Sequence, residues 1–283
     1  MQSLYDVPAP AKLNLFLHVT GRRPDGYHLL QSVFMLIDWC DTLHFSVRRD
    51  GRITREDLVG DLPEEDLCVR AARALQQASG CTVGAHIGVV KRIPAEAGLG
   101  GGSSDAASTL LALNQLWNLG LTRAQLLPIA APLGADVPFF LGGTNAWVEG
   151  IGERLTPLSE SSPIPAQRFV VVKPEAGLPT AAIFSRLPAK NYFGNATIAG
   201  FAADPFGFGR NDLQSIAETL CPEVSQALNW LKTHGLHGRM TGSGSAVFAA
   251  ASHAVDLPAP PGAWQVKVCD NLWVHPLAGW ATE

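Results

Sequence analysis

The segment Pro94-Ala95-Glu96-Ala97-Gly98-Leu99-Gly100-Gly101-Gly102-Ser103-Ser104-Asp105 holds four glycines in five residues, between an alternating apolar stretch and a run that is apolar nearly all round. Val83, Ala85, Ile87 and Val89 before it have the period of a strand. The residues after it, from about Ser103 to Asn118, carry Ala106, Ala107, Leu110, Leu111 and Leu113 and predict a buried helix. Glycines at such a junction let the backbone approach a ligand and take positive φ. The helix start adds unpaired N–H groups and the positive end of the helix dipole. Together these make an anion site suited to phosphate. Ser103, Ser104 and Asp105 can cap the helix, contact phosphate or reach a magnesium ion.

The common phosphate and nucleophile loops fail on spacing. A Walker A loop ends in Gly-Lys-Ser/Thr, and no Lys follows these glycines. The dinucleotide fingerprint G-x-G-x-x-G fails because Ser103 stands at the third glycine position counted from Gly98. G-x-S-x-G occurs neither here nor at Gly242-Ser243-Gly244, so no nucleophile elbow is present at either place.

The rest of the chain reads as a mixture of strands and helices. Leu13, Leu15, Leu17 and Val19 alternate with Asn14, Phe16 and His18, and Leu43, Phe45 and Val47 repeat the strand pattern. Glu64 to Ser79 predicts a helix with Leu67, Ala71, Ala74, Leu75 and Ala78 on one face and Gly80 as its C-cap. Thr156 to Ala166 is rich in Pro and Ser and marks a boundary between domains at 1–158 and 167–283. Beyond it, Phe169 to Val172 predicts a strand. Asp212 to Leu220 and Glu223 to Thr233 predict helices, with Asn211 or Asp212 as a cap and Pro222 at a helix start. Gly242 to Ala251 and Val266 to Val274 supply further strands. Asn195 to Gly209 has no period and predicts a mobile loop.

Composition narrows the function classes. The 283 residues are 47% hydrophobic and 16% charged, enough to bury a full core. A net charge of −4 gives no basic face for nucleic acid. No apolar run is long enough for a membrane span, and the first residues lack a signal-peptide pattern. Five cysteines without a C-x-x-C predict reduced thiols and a cytoplasmic protein. His234 and His237 have a ligand-like spacing, but no cysteine or carboxylate cluster joins them, which argues against a metal site.

Several motifs resemble those of one family. The glycine segment resembles the phosphate loop of the GHMP kinases, named for galacto-, homoserine, mevalonate and phosphomevalonate kinases. Pro10-Ala11-Lys12-Leu13-Asn14-Leu15 resembles the family's first motif. Arg23-Pro24-Asp25-Gly26-Tyr27-His28, Gly134-Ala135-Asp136-Val137-Pro138-Phe139-Phe140 and Thr241-Gly242-Ser243-Gly244 extend the likeness over about residues 8 to 276.

The resemblance implies an α+β fold in two lobes. An N-terminal ATP-binding lobe would face a C-terminal split β-α-β lobe across a cleft, with ATP and Mg2+ as cofactors. Asp136 would be the base toward a substrate hydroxyl, and Lys12 would stabilise developing negative charge. ATP would meet Lys91, Asp66, Pro94, Gly98, Leu99, Gly100, Gly101, Gly102, Ser103 and Ser104. Asp66 stands where many relatives carry Asn, and an ionised carboxylate accepts hydrogen bonds without donating them. The second substrate would be a small alcohol linked to cytidine diphosphate. Tyr27, His28 and Phe184 would surround its cytosine, and Asn14, Asp136, Thr180, Thr241 and Gly242 would complete its site.

Overall fold

A computed structural model describes residues 2–60, 62–64, 66–158, 164–187, 195–251 and 255–283. The first half runs β1 (Ser3–Arg22), β2 (His28–Arg48), β3 (Ile53–Val59), α1 (Leu67–Ser79), β4 (Gly84–Val90), α2 (Gly101–Leu116), α3 (Arg123–Ala130), α4 (Val137–Gly142), β5 (Ala146–Glu149) and β6 (Arg154–Pro157). The second half runs β7 (Arg168–Lys173), α5 (Thr180–Phe184), α6 (Ile198–Ala203), α7 (Gln214–Leu220), α8 (Pro222–Thr233), β8 (Arg239–Met240), β9 (Val247–Ala251) and β10 (Gln265–Leu272). The mixed sheet and helices are an α+β arrangement.

The long hairpin β1–β2 is the spine. Its turn closes with Arg23 N–H donating to Tyr27 O at 2.7 Å, and Gly26 takes φ 94°. The two faces of the hairpin belong to different cores. Val7, Ala9, Leu36, Leu43 and Phe45 pack with α1, α2 and α4. Ala11, Leu13, Leu15, Met35 and Ile37 pack with Phe169, Val171, Phe201 and Phe248 from the second half. Leu17 and Val19, at the far end of β1, join a third core with α7 and α8. A strand covered on both sides is therefore what joins the halves. Among the described residues the ten-stranded sheet runs β3-β4-β2-β10-β7-β9-β8, with β1 and β5 also on β2. The step from β2 to β10 is only two residue pairs, Asn271 with Ile37 and Leu272 with Leu36.

Local structure departs from the sequence expectation in five places. Helix α2 starts at Gly101, because Gly100 at φ 73° is the N-cap and Ser104 N–H bonds its carbonyl at 2.9 Å. Ser103 and Ser104 therefore lie inside the helix and do not cap it. Helix α1 starts at Leu67, because the Asp66 carboxylate caps Val69 N–H at 3.0 Å; Glu65, within the predicted span, lies outside the described residues. Its buried stripe runs through Cys68, Val69, Ala71, Ala72 and Leu75, leaving Ala78 exposed, since α1 packs mainly on α2, which covers a face rotated from the predicted one. The 195–209 segment holds α6, capped by Thr197 and anchored by the buried Phe201 ring, so aromatic burial orders what lacked period. Residues 241–246 form a turn, with Gly242 and Gly244 at φ 54° and 84°, and only Val247–Ala251 is strand. The middle of the Pro- and Ser-rich boundary, 159–163, lies outside the described residues.

The segment after β10 returns to the first half. His275 N–H donates to Gly143 O at 2.8 Å. The buried Arg123 side chain donates from Nε to Leu141 O at 3.1 Å and from Nη1 to Ala281 O at 2.9 Å. His275 is buried among these groups, and its Nε2 has no hydrogen-bond partner among the described residues. Burial, with Arg123 adding to it, pushes its imidazole from 6.5 down to about 4. A neutral native imidazole adds no penalty above the unfolded value. Between 6.5 and about 4 the unfolded chain binds a proton that the native state does not, so stability falls as pH falls. Denaturant unfolding should show an acid loss approaching about 3 kcal/mol over that window from this residue. His275→Gln should flatten the curve there, and an unchanged slope would remove His275 as its source.

Candidate active site

The glycine loop is pinned from two sides. On one side Lys12 N–H of β1 donates to Leu99 O at 3.0 Å. On the other, Ser245 N–H and Ala246 N–H donate to Glu96 O and Ala97 O, each at 3.2 Å. Gly98, at φ 73°, lies against the 241–246 turn so closely that a Cβ there would stand 2.2 Å from Thr241 O. A Cβ on Gly100 would meet the Phe140 ring at 2.9 Å and Lys12 Cγ at 3.2 Å. A Cβ on Gly101 would press on Ile93 at 2.9 Å. Here small size, as well as conformational freedom, is what the glycines supply.

The loop floors a cleft of about 630 Å³. Of the predicted residues, Lys12, Asn14, Lys91, Pro94, Gly98 through Ser103, Asp136, Thr180, Phe184 and Gly242 line it. The others stand apart from its lining. Ser104 is fully buried behind the loop, and Tyr27 is 60% exposed at the hairpin turn. The His28 ring lies 5.7 Å from the Phe184 ring, tilted by 31°. Thr241 is a buried hub, where its Oγ1 accepts from Asn14 N–H at 2.9 Å. Asp66 gives its carboxylate to the α1 cap and to Arg55 Nη1 at 3.0 Å.

One ion pair faces the middle of the cleft. Lys12 is 4% exposed, and its Nζ lies 3.7 Å from Asp136 Oδ2. The same ammonium donates to Asn14 Oδ1 and sits 4.5 Å over the Phe34 ring. Asn14 is held in turn by Ser32 Oγ at 2.9 Å. Burial lowers the Lys12 pKa below 10.5, and the Asp136 charge opposes that shift. Asp136 is the N-cap residue of the short helix α4, with Pro138 in the first turn, and its side chain keeps 28% exposure. A buried ammonium beside a half-exposed carboxylate, above a glycine loop, can orient a hydroxyl, take its proton and balance the charge that develops. Across the cleft, α5 presents Thr180, whose Oγ1 is 2.8 Å from Ser243 Oγ, and Phe184.

Sequence reasoning missed Asp41, which is fully buried beneath the loop. Lys91 Nζ donates to Asp41 Oδ2 and, at 2.6 Å, to Asp105 Oδ2. A lone Asp in the strand-like stretch Cys40-Asp41-Thr42 carried no motif, and its partner is fifty residues away. Leu62, Leu67 and Ile93, which add apolar wall beside Lys91, were equally silent.

The chain matches known proteins in sequence and in fold. The family model for the GHMP kinases N terminal domain matches residues 66–144, and that for GHMP kinases C terminal matches 199–257. The chain is 68% identical over 280 residues to a protein of Acidovorax sp. (strain JS42) named 4-diphosphocytidyl-2-C-methyl-D-erythritol kinase, covering 99% of both. It is 66% identical over 284 residues to the protein of that name from Delftia acidovorans, covering 100% of this chain and 99% of the relative. A crystal structure of 4-(cytidine 5'-diphospho)-2C-methyl-D-erythritol kinase superposes with a TM-score of 0.78 at 32% identity, covering 95% of this chain and 98% of that one. A homoserine kinase from Cytophaga hutchinsonii shares the fold, with a TM-score of 0.69 at 18% identity and coverage of 90% and 86%.

The packing around Gly98 makes a direct test. Gly98→Ala puts a Cβ into the Thr241 carbonyl and strains a positive φ. It should weaken ATP binding about tenfold or more and lower the melting midpoint, since interlobe packing and the loop share that contact. Gly142→Ala, where a Cβ meets nothing within 4 Å, is the control and should leave both unchanged. Calorimetric titration of ATP and thermal melting measure the two effects. Wild-type values for Gly98→Ala would show that the close approach is dispensable.

Proposed function

The chain belongs to the GHMP kinases, in the branch of the 4-diphosphocytidyl-2-C-methyl-D-erythritol kinases, and from that premise we propose that it transfers the terminal phosphoryl group of ATP to the 2-hydroxyl of that alcohol, a step of the non-mevalonate isoprenoid precursor pathway. It is a small-molecule kinase, and ATP is its phosphoryl donor. The observation that carries the residue assignment is the Lys12–Asp136 pair at 3.7 Å, set between the glycine loop and the Thr180–Phe184 wall.

Phosphoryl transfer asks a protein mainly for position and charge. The loop's backbone and the start of α2 would cradle the triphosphate. Asp136 would take the proton of the attacking hydroxyl. Lys12 would hold that hydroxyl and the transferring oxygens, with Asn14 fixing its ammonium. Among the described residues no group of three or more His, Cys, Asp or Glu side chains forms a metal cage. Mg2+ keeps water and phosphate oxygens around it and needs only one or two protein carboxylates. Glu96 lines the cleft and would supply one such carboxylate, leaving Asp136 to act as the base. The ion would draw charge from the transferred phosphoryl group.

The cytidine end would lie against Phe184, with His28 behind that ring and Tyr27 at the exposed hairpin turn. We assign 1–158 to the ATP-binding lobe and 167–283 to the C-terminal lobe. The cytoplasm is the compartment that fits five free cysteines. Among the described residues no helix is long and apolar enough to cross a membrane.

ATP consumption should be seen with the cytidine-diphosphate substrate and be absent with homoserine or mevalonate; the reverse order would reassign the substrate. Asp136→Asn should keep ATP affinity and lower kcat by about two to four orders of magnitude, the usual weight of a positioned base. Lys12 acts as a cation, so activity should fall as pH rises through its lowered pKa, below the ordinary 10.5. An alkaline limb unmoved in Lys12→Arg would assign that limb to another group.

Phe184→Ala should raise KM for the cytidine substrate by about 5- to 150-fold, the loss expected for base stacking, with kcat and the KM for ATP little changed. A lower melting midpoint with substrate affinity intact would make Phe184 a packing residue only.

A further inference from the structure

Beneath the phosphate loop lies a charge cluster that the phosphoryl-transfer chemistry leaves unused. Asp41 projects from β2 with no exposed surface, Lys91 follows the last residue of β4, and Asp105 lies in α2 at 2% exposure. The Asp41 carboxylate makes three contacts, all to consecutive residues. Its Oδ2 accepts from Lys91 Nζ, and its Oδ1 accepts from Arg92 N–H at 2.5 Å and from Ile93 N–H at 2.8 Å. These are the residues where the strand hands over to the loop. Asp105 stands on the helix by which the chain leaves the loop, and its Oδ2 accepts from the same ammonium at 2.6 Å. One lysine therefore ties the loop's entry to its exit. Ile93, positioned by Asp41, is also the residue that a Cβ on Gly101 would strike.

We propose that Asp41 is a positioning residue for ATP, holding the phosphate loop in its binding geometry through the Lys91 ammonium and the Arg92 and Ile93 N–H groups, with Asp105 as the opposite anchor. This rests on reading the loop as the ATP site. A charge count fits a role in geometry better than one in direct attraction. Two carboxylates share one ammonium, so the cluster offers ATP no surplus positive charge. Asp105 Oδ1 is buried with no hydrogen-bond partner among the described residues. Burial pushes the Asp105 carboxyl up to about 7, Lys91 opposing the rise and Asp41 adding to it. The Cys68 thiol faces it from α1, and burial keeps that thiol protonated, its pKa well above 9. Asp41 is thus the anchor whose carboxylate carries the backbone N–H contacts of Arg92 and Ile93.

The test is a mutant cycle on the full chain, read by calorimetric titration of ATP and of the cytidine substrate. Asp41→Asn turns an acceptor toward Lys91 into an amide that presents N–H groups to an ammonium or gives up a backbone contact. Its ATP Kd should rise about 10- to 150-fold, the range for lost hydrogen bonds to a charged group. The cytidine-substrate Kd and kcat at saturating ATP should stay within about threefold, the spread of a near-neutral change. Asp105→Asn keeps an acceptor toward Lys91 and gives up no backbone contact, so it should raise the ATP Kd less than Asp41→Asn does. In a Lys91→Met background, Asp41→Asn should add less than its effect alone, because both act on one strut. If Asp41→Asn fails to fold, the double variant replaces it, and ATP affinity at the wild-type level in that variant overturns the proposal. So does Asp41→Asn that binds ATP normally, or that weakens both ligands equally. Failure of wild type to bind ATP would instead refute the assignment of the loop, independently of Asp41.

Discussion

The contact on which the rest of this structure depends is the one between two pieces of backbone, Gly98 and the Thr241 carbonyl. No side chain separates them, and none fits. Because they touch, the phosphate loop of the first half can share hydrogen bonds with the turn of the second, through Glu96 O and Ala97 O. Because β1 bonds the other side of the loop at Leu99, Lys12 is delivered to the same place. The cleft, its floor and its cation are thus consequences of one close approach. That approach explains why glycines stand on both partners, Gly98 and Gly242, each at positive φ.

Charge is handled by pairing around that contact. Lys12 is buried next to the cleft, where an unpaired ammonium would be strongly disfavoured. Asp136, Asn14 and the face of Phe34 share its compensation, and Asp136 remains accessible enough to meet a substrate. Lys91 is treated differently. Its two partners are both interior carboxylates, which makes it part of the scaffold under the loop. Arg123 is buried as well, and it is satisfied mostly by backbone carbonyls of α4 and of the returning segment. Each of the three joins elements distant in sequence, so the polar interior of this protein specifies how its helices and strands are placed.

The likeness to homoserine kinase at 18% identity shows that widely different sequences adopt this fold. The rim of the cleft and the hairpin turn beside it are another matter. Thr180 and Phe184 lie on a helix of five residues, and Tyr27 and His28 lie at a hairpin turn. Short elements at the cleft rim can change while the two cores and the shared loop stay as they are.

Lys12 and Asp136 stood out only through their resemblance to family motifs, whereas local chemistry alone was enough to mark the glycine loop, the strand and helix that flank it, and the Gly80 and Pro222 helix ends. These are legible because each depends on near neighbours: apolar period, a capping residue, a glycine where φ must be positive. The start of α2 was misplaced by two residues because Gly100, a poor-looking cap, takes that role through its left-handed backbone. Helix α6 was missed because Phe201 is ordered by a core built from β1, β7 and β9, with no signal in its own segment. Asp41 was missed for the same reason, since a buried carboxylate gains meaning only from the ammonium and N–H groups that folding brings to it. The sequence by itself determined that a strand, a glycine-rich loop and a buried helix follow one another, and its motifs pointed to the family. Only the tertiary structure decided which residues share a cleft and which serve as struts, because burial and pairing are properties of segments that meet only on folding.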